Sequence, residues 1–417
     1  MTERPKLLFL CQTLPYPLDG GCWIRTYHVL RLLSEAFDVT ALYFERMGLA
    51  AREDAAQLEK SLRELARFGE AEAFPVLQTR SRLRLLWDHA RSLLFRKVYT
   101  QYIFDSGAYR QRLDELLNTD SFDLVHMDSL DLATYLPMCA GLPVVCVHHN
   151  VESELLRRRA PVQGRAPARA YFRYQADRMQ REEQDWIGRV ALNVVVSRGD
   201  RDLLASFVPE ARFAIVPNGV DVNEFRPEPA QGDGLAYIGG TNWFPNLDAL
   251  DFFCDSILPH LRAAGVEVPV RWVGSASREE QRRYADQFGV QLTGYVDDVR
   301  PYMRDALCNI VPLRAGGGTR LKVLNSWAMG KAIVSTSVGC EGLDARDGEN
   351  ILIRDDPREF AEAILQLRSD DSLRSKLERG ARSTAEERYA WEVIGPPMIA
   401  SYRDLLSDSG IAGRNGS

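Results

Sequence analysis

Short apolar segments alternate with helical segments through both halves of the chain. Lys6–Cys11 is predicted as a buried strand, Ile24–Leu33 as a helix and Val39–Tyr43 as the next strand. The second half repeats this order, beginning with a strand at Leu235–Gly239. Strands that are joined through helices form parallel sheets with helices on both faces. The sequence therefore predicts an α/β protein with two doubly wound, Rossmann-like domains.

The bulk composition is that of an ordinary globular protein. The chain has 417 residues, of which 45% are hydrophobic and 26% charged, and a net charge of -6. This balance argues against a nucleic-acid partner. Seven scattered cysteines without a CxxC pair predict neither a zinc site nor a disulfide framework. Because no segment has the pattern of a signal peptide or a transmembrane helix, we expect a cytoplasmic protein.

A polar segment rich in proline and glycine, residues 226–234, is interpreted as the hinge between the domains. The predicted domains are 1–225 and 226–390. Residues 391–417 are predicted as a helix that crosses back to the first domain, followed by a disordered tail. We expect the ligand site in the cleft between the two domains.

The stretch Val311–Thr336 combines a strand, a glycine-rich loop, a helix and a second strand. Consecutive glycines let backbone N–H groups turn towards a ligand, and the helix N-terminus adds about half a positive charge. Two cations follow at the first turn. Together these features predict an anion site that fits phosphate, although an ordinary loop with surface cations is the alternative. The predicted members are Gly316, Gly317, Gly318, Thr319 as helix cap, Arg320 and Lys322.

Two loops of the first half place small or polar residues at the end of a strand. Gly20 and Gly21 precede a helix and allow close approach of a ligand, but a structural turn fits equally well. His149 ends the predicted strand Pro143–Asn150, at the edge where parallel sheets bind ligands. A histidine that only satisfies its own loop is the alternative.

Residues 81–97 form a basic amphipathic segment in which leucines and Trp87 alternate with arginines and Lys97. Such a segment can lie on an anionic membrane surface. It would then bring the protein to the inner face of the membrane as a peripheral contact. The alternative is a helix whose apolar face packs on the core and whose basic face is solvated.

Several motifs, in order over nearly the whole chain, resemble the GT-B glycosyltransferases of family 4. Val216–Pro227 is similar to the inter-domain segment of that family, and Leu292–Asp298 to the strand and turn ahead of its nucleotide site. Gly316–Lys331 resembles its phosphate loop and helix. Pro15–Arg25 resembles its N-terminal glycine loop, and His149–Glu152 its histidine loop. Within the family, the similarity is greatest to enzymes of exopolysaccharide and cell-surface glycan assembly.

The resemblance implies a retaining, hexosyltransferase-type enzyme that needs no cofactor and no metal. It would move a sugar from a nucleotide-diphosphate sugar to a carbohydrate, lipid-linked or small-molecule acceptor. Arg320 and Lys322 would neutralise the diphosphate leaving group, and His149 would contact the donor sugar. The implied donor-binding residues are Gly20, Gly21, Gly239, Gly240, Gly274, Tyr295, Val296, Gly316, Gly317, Gly318, Thr319 and Asn325. The pair Asp297–Asp298 is more typical of a turn and helix cap than of a metal site.

One position departs from the family pattern. The family typically has two glutamates eight positions apart, and the corresponding residues here are Gly317 and Asn325. An amide binds a hydroxyl without the charge assistance of a carboxylate, so we expect ribose binding to be weaker or shared with Glu341. The alternatives are a non-catalytic GT-B protein that binds a nucleotide or a partner, and a sugar-nucleotide epimerase of the same fold.

Overall fold

The computed structural model describes residues 4–18, 20–45, 53–161, 163–229, 232–316 and 320–408. The chain divides into two compact units, one formed by Met1–Val216 with Gly395–Ser417 and the other by Pro217–Ile394. The first unit ends at Val216, whereas the predicted first domain ends at residue 225. The polar segment 226–234 belongs to the second unit. The predicted tail, residues 409–417, lies outside the described residues.

Within the described ranges, the first unit contains one sheet of seven strands. Its order is β3-β2-β1-β4-β5-β6-β7, and every neighbouring pair is parallel. The order reverses between β1 and β4, as in doubly wound sheets that bind ligands at that point. The strands are β1 (Lys6–Cys11), β2 (Asp38–Glu45), β3 (Glu70–Pro75), β4 (Leu124–Met127), β5 (Val144–His148), β6 (Leu192–Val195) and β7 (Phe213–Ile215).

The helices of the first unit connect these strands. They are α1 (Gly21–Ser34), α2 (Glu53–Leu65), α3 (Arg82–Phe95), α4 (Thr100–Ile103), α5 (Gly107–Thr119), α6 (Glu152–Arg159), α7 (Ala166–Ile187) and α8 (Arg198–Phe207), with 3₁₀ segments at Leu77–Arg80 and Leu130–Cys139. The charged segment of residues 51–76 contains a helix and then a strand, since β3 follows α2. The basic segment of residues 154–190 contains parts of two helices, since Pro161 and Gly164 lie between α6 and α7.

The second unit has a six-stranded sheet in the part of the chain that the structure describes. Its order, β10-β9-β8-β11-β12-β13, is again parallel throughout and reverses between β8 and β11. The strands are β8 (Gly234–Ile238), β9 (Val270–Val273), β10 (Val290–Leu292), β11 (Ala306–Val311), β12 (Ile333–Ser335) and β13 (Leu352–Ile353).

The helices of this unit lie between its strands and after the last one. They are α9 (Phe244–Phe252), α10 (Leu258–Ala263), α11 (Arg278–Phe288), α12 (Arg300–Arg304), α13 (Leu321–Ala328), α14 (Pro357–Ser369) and α15 (Asp371–Thr384), with π-helical turns at Phe253–Ile257 and Ala385–Tyr389 and a 3₁₀ turn at Val338–Cys340. The final helix, α16 (Trp391–Asp408), begins in the second unit and ends in the first.

Each unit has its own apolar core built on its sheet. In the first, Phe44 of β2 stacks on Tyr109 of α5 with ring centroids 4.4 Å apart. In the second, Tyr237 and Trp272 of neighbouring strands stack at 3.7 Å. All seven cysteines are free, as the sequence predicts. No helix among the described residues is long and apolar enough to cross a membrane. The two sheets together give the predicted α/β class.

Candidate functional site

The predicted glycines of the second unit meet at the carboxyl ends of its strands. Gly239 and Gly240 follow β8, and Gly274 follows β9. A Cβ atom built on Gly274 would lie 2.6 Å from the backbone nitrogen of Gly240, so the two loops touch. Gly274 also pairs with Gly294 in an isolated antiparallel bridge. This places Tyr295, the next residue, beside the same edge of the sheet, where open α/β sheets bind ligands.

Lys322 turns its side chain from the first turn of α13 towards the end of β8. Its ammonium donates hydrogen bonds to the hydroxyl of Tyr237 at 2.5 Å and to Oδ1 of Asn246 at 3.0 Å. The Nζ atom also lies 3.8 Å from the centre of the Tyr237 ring. Asn246 is fixed in turn, since its amide donates to the carbonyl oxygen of Gly240. A polar network therefore holds this cation at the end of the strands.

Gly239 makes room for this network. A Cβ atom at position 239 would lie 2.7 Å from Nδ2 of Asn246 and 2.9 Å from Nζ of Lys322. The residue also has φ +152°, which a side chain rarely adopts. A glycine is thus required here both for the backbone conformation and for the position of the lysine.

Arg320 is the second cation of the site and is buried, with 7% of its surface exposed. Its Nη2 donates to the carbonyl oxygen of Val338, which lies in the 3₁₀ turn after β12, at 3.4 Å. A Cβ atom on Gly316 would lie 3.2 Å from the same nitrogen, so the glycine loop and the guanidinium are adjacent. The structure therefore brings Gly316, Arg320 and Lys322 together.

The pKa of Lys322 reflects a positive charge that no carboxylate of the described residues balances. Burial, and then the positive charge of Arg320, lower the pKa of Lys322 well below its ordinary value. No carboxylate of the described residues contributes an opposing effect on that pKa. Arg320, which is buried, and Lys322, which is half-buried, are two cations close together, and such a pair favours an anion that would compensate its charge.

Other predicted members of this site have different positions. Tyr295 is exposed over 62% of its surface, so its ring is available to a ligand, and Val296 follows it half-buried. Asn325 is half-buried on α13, and Glu341 is exposed just after the turn that Arg320 contacts. Gly317, Gly318 and Thr319 lie outside the described residues. The N-cap of α13 is Arg320, so the helix begins one residue later than a Thr319 cap would require.

In the first unit, His149 is paired with a buried carboxylate. Its Nε2 lies 3.3 Å from Oδ2 of Asp128, which follows β4 and is 1% exposed. The same oxygen accepts a hydrogen bond of 2.6 Å from Thr26, while His126 lies 3.3 Å from the other oxygen. His149 also hydrogen-bonds Cys22 of α1. The histidine at the strand end is therefore held in place from two sides.

The charges of this pair reinforce each other. Burial would lower the pKa of His149, but Cys22 and Asp128 outweigh it and raise that pKa well above its ordinary value. Burial would raise the pKa of Asp128, but His149 and His126 lower it well below its ordinary range. Both directions favour the charged forms of the pair, an imidazolium next to a carboxylate.

Gly20 and Gly21 lie at the start of α1, after β1. A Cβ atom at Gly20 would meet only the ring of Trp23, at 3.6 Å, which is an ordinary contact. Its backbone is extended, with φ -150°. Neither the packing of the described residues nor the backbone conformation requires a glycine at this position.

Sequence reasoning did not select Tyr237, Asn246 or Asp128. Asp128 carries the same signal as His149, since both are polar residues directly after a buried strand. Tyr237 has no local signal, because it is one aromatic residue of an apolar strand. Asn246 becomes important only because α9 turns its amide towards Lys322.

Of the pair Asp297–Asp298, the second residue holds the turn before α12, whose N-cap is Val299. Oδ1 of Asp298 accepts hydrogen bonds from the backbone nitrogen and Nε of Arg300, at 2.9 and 2.8 Å. In the described ranges of the chain, no group of three or more His, Cys, Asp or Glu side chains is placed to hold a metal ion.

Two family models match successive parts of the chain. The model described as Glycosyltransferase Family 4 matches residues 20–224, and the one described as Glycosyl transferases group 1 matches residues 232–370. Together they include His149, Arg320 and Lys322.

Curated relatives match over shorter lengths. The lipopolysaccharide core biosynthesis glycosyltransferase LpsE of Rhizobium meliloti is 32% identical over 123 residues, 28% of this chain and 36% of the relative. A D-inositol 3-phosphate glycosyltransferase of Acidothermus cellulolyticus is 35% identical over 224 residues, 47% of this chain and 49% of the relative. The chain therefore spans at most about half the length of these relatives.

Solved structures match over almost the whole chain. Sucrose-phosphate synthase from Thermosynechococcus elongatus superposes with a TM-score of 0.71 at 15% identity, covering 97% of this chain and 100% of that one. Anabaena HepE in complex with UDP-glucose superposes with a TM-score of 0.64 at 14% identity, covering 96% of this chain and 99% of that one. At this level of identity the match shows a shared fold.

Proposed function

The chain belongs to the group 1 glycosyltransferases of family 4 and has the GT-B fold, and from this we propose that it transfers a sugar from a nucleoside diphosphate sugar to an acceptor. The relatives act in lipopolysaccharide core biosynthesis and on inositol phosphate, by their names. We therefore propose an acceptor in glycan or glycoconjugate assembly. The HepE complexes with UDP and UDP-glucose favour a nucleotide sugar as the donor class.

The observation that carries this proposal is the pair of cations at the strand ends of the second unit, Arg320, which is buried, and Lys322, which is half-buried. The positive charges of Arg320 and Lys322 repel each other, which disfavours the charged form of the lysine. No carboxylate of the described residues opposes this effect on the pKa of Lys322. A diphosphate would supply the missing negative charge. A Cβ atom at Gly239 would lie 2.9 Å from Nζ of Lys322, and one at Gly316 would lie 3.2 Å from Nη2 of Arg320, so both glycine loops are adjacent to the cations.

The proposed chemistry follows from where charge develops. Departure of the nucleoside diphosphate leaves negative charge on its phosphates. Fixed cations stabilise that charge more in the transition state than in the bound donor. In this account Arg320 and Lys322 act on the leaving group, and Tyr295 offers an exposed aromatic ring near the nucleotide base.

We assign His149 to the donor sugar. Its imidazolium is oriented by Asp128, and a sugar hydroxyl could replace the present contact with Cys22. We propose retention of the anomeric configuration, transfer of a hexose and no requirement for a metal ion. The departing phosphate itself can accept the proton of the acceptor, so this proposal names no protein base.

The test is release of nucleoside diphosphate from a panel of UDP-, GDP-, ADP- and dTDP-sugars, with the double variant Arg320→Ala/Lys322→Ala. We expect loss of at least about 100-fold in turnover, since one transition-state donor alone is worth about 10²–10³-fold. Arg314→Ala is the matched control. This cation also belongs to the glycine loop, but it is exposed and already bonded to Asp248 at 2.6 Å.

Turnover in the control should stay within about threefold of wild type, because the ion pair is on the surface. A double variant that retains wild-type turnover would contradict the assigned roles. Two other outcomes identify the alternatives. Nucleotide binding without turnover under any acceptor, favoured by Asn325 in place of a carboxylate, indicates a non-catalytic protein. Conversion of the donor sugar to its epimer without any acceptor indicates an epimerase.

A further inference from the structure

Helix α3 contacts the rest of its unit through polar side chains. Asp88 is fully buried and accepts hydrogen bonds from Nε of Arg84 at 2.9 Å and from Gln78 at 2.8 Å. Ser92, one turn later, is also fully buried and accepts a bond of 2.7 Å from Gln175 of α7. The inner face of this helix is therefore polar, which is the reverse of an ordinary surface helix.

The outer face of α3 is apolar and exposed. The exposed fractions reach 80% for Leu83 and 70% for Leu94. At about 100° per residue, five of the seven exposed large apolar side chains of α3 fall within an arc of about 120°, whereas Leu85 and Phe95, 38% and 60% exposed, lie outside it. We call this set the apolar stripe; it consists of Leu83, Leu86, Trp87, Leu93 and Leu94. The expectation that this face packs on the core was wrong, because buried Asp88 and Ser92 turn it outwards.

Cations lie at both ends of the apolar stripe. Arg82 is exposed at the start of α3, and Arg96 and Lys97 are exposed after its end. Arg84 and Arg91, by contrast, pair with Asp88 at 2.9 and 3.4 Å. Residues 80–97 contain six basic residues and one acid, in a chain with a net charge of -6. The positive charge is thus concentrated where the apolar side chains are exposed.

We propose that the apolar stripe of α3 is a docking surface for an anionic lipid bilayer. The leucines and Trp87 would enter the headgroup region, while the three exposed cations would lie at the phosphates. The helix has 14 residues, about 21 Å, so it lies along the surface rather than across it. A second copy of the chain fits less well, since a two-fold contact of the stripe brings its cations together. This proposal does not depend on the proposed function.

Vesicle co-sedimentation tests the proposal without any sugar substrate. The full chain is mixed with vesicles of 60% phosphatidylcholine and 40% phosphatidylglycerol, and with vesicles of phosphatidylcholine alone. We expect wild type to bind the anionic vesicles at least about tenfold more tightly, and less tightly as salt is raised. Leu83→Gln/Leu86→Gln/Leu94→Gln should lose at least about tenfold in binding. Its melting temperature should be unchanged, because these side chains are exposed.

A charge variant and its control show whether vesicle binding depends on the cations beside the stripe or only on the net charge of the chain. Arg82→Gln/Arg96→Asn/Lys97→Gln should weaken binding severalfold, whereas the same loss of charge in the second unit should not. That control variant is Arg278→Gln/Arg282→Gln/Lys376→Gln, at three exposed positions. The proposal is overturned if wild type does not sediment with anionic vesicles, or if the variant Leu83→Gln/Leu86→Gln/Leu94→Gln sediments as wild type does. If wild type does not bind vesicles and size-exclusion chromatography shows a dimer that this leucine variant disrupts, the stripe is assigned to self-association instead.

Discussion

At the scale of single residues, the most informative one is Lys322. It is a half-buried cation whose hydrogen bonds go to a phenol and an amide rather than to a carboxylate. Such a lysine is costly in the free protein and becomes favourable when an anion binds. The protonation of Lys322 should therefore change when an anionic ligand binds.

A first prediction concerns protons. Because the pKa of Lys322 is depressed in the free protein and a diphosphate would raise it, binding should take up a proton at pH values between the two. Affinity is then constant at lower pH and falls as the pH rises through that window. Calorimetric titration with UDP at about pH 8, in buffers of different ionisation enthalpy, measures the uptake. Lys322→Met should abolish it, and equal uptake in this variant would assign the proton elsewhere.

A second prediction concerns Asp128 and His149. The raised pKa of His149 gives stability that is present below its ordinary pKa of about 6.5 and is lost as the pH rises through the folded value. The lowered pKa of Asp128 gives stability that is present above about pH 4 and is lost in stronger acid. The deficit of Asp128→Asn should thus be largest between about pH 4 and 6.5.

Urea denaturation measures this deficit, which we expect to be about 3 kcal/mol, because one partner of a buried pair is removed. Asp344→Asn serves as the control, since its ion pair with Arg388 is exposed and should contribute no more than about 1 kcal/mol. A deficit that does not change between acid and alkaline pH would show that the two groups are not coupled.

A third prediction contrasts two glycines. Gly239→Ala should lower UDP affinity at least about tenfold, because its methyl group displaces Asn246 and Lys322. Gly20→Ala should leave stability within about 0.5 kcal/mol of wild type, since its methyl group meets only Trp23. If a ligand approaches Gly20, turnover falls nonetheless. Thermal melting and a donor-release assay on both variants distinguish these effects, and unchanged affinity in Gly239→Ala would count against the network.

At the scale of elements, strands were the easier prediction and helix orientation the harder one. β1 lies where the apolar run predicts it, at Lys6–Cys11, and β8, at Gly234–Ile238, lies one residue ahead of the predicted Leu235–Gly239. The edge strand β3 is not marked by an apolar run in the sequence, because none of its residues is fully buried. The orientation of α3 was not predictable from its own sequence, since Gln78 and Gln175 fix its polar face.

A fourth prediction tests a local signal that holds α11 beside the site. Ser277 and Glu280 form a capping box, and Glu280 also accepts a bond from Thr241 in the loop after β8. Ser277→Ala should destabilise the protein by about 1 kcal/mol. Ser372→Ala, at an exposed position within the first turn of α15, is the control and should cost less than about 0.5 kcal/mol. Urea denaturation that gives equal costs would argue against the capping role.

At the scale of the whole molecule, both units have a parallel sheet whose strand order reverses once, and each has candidate functional residues at the carboxyl ends of its strands. The glycines and cations of the second unit could be predicted from the sequence, because glycine-rich loops and helix starts are local signals. The partners of these residues could not. Tyr237 and Asn246 meet Lys322 only through the packing of β8, α9 and α13, and Asp128 meets His149 only because β4 and β5 are neighbours.

The central claim is that Arg320 and Lys322 hold the diphosphate of a nucleotide. The melting temperature of the full chain should be measured with UDP, GDP, ADP and dTDP, and with the corresponding nucleosides, which lack phosphate. We predict that at least one diphosphate raises the melting temperature by mass action, whereas its nucleoside does not. The shift should vanish in Arg320→Ala/Lys322→Ala and persist in Arg314→Ala. A shift of wild-type size in the double variant, or none with any diphosphate, would contradict the claim.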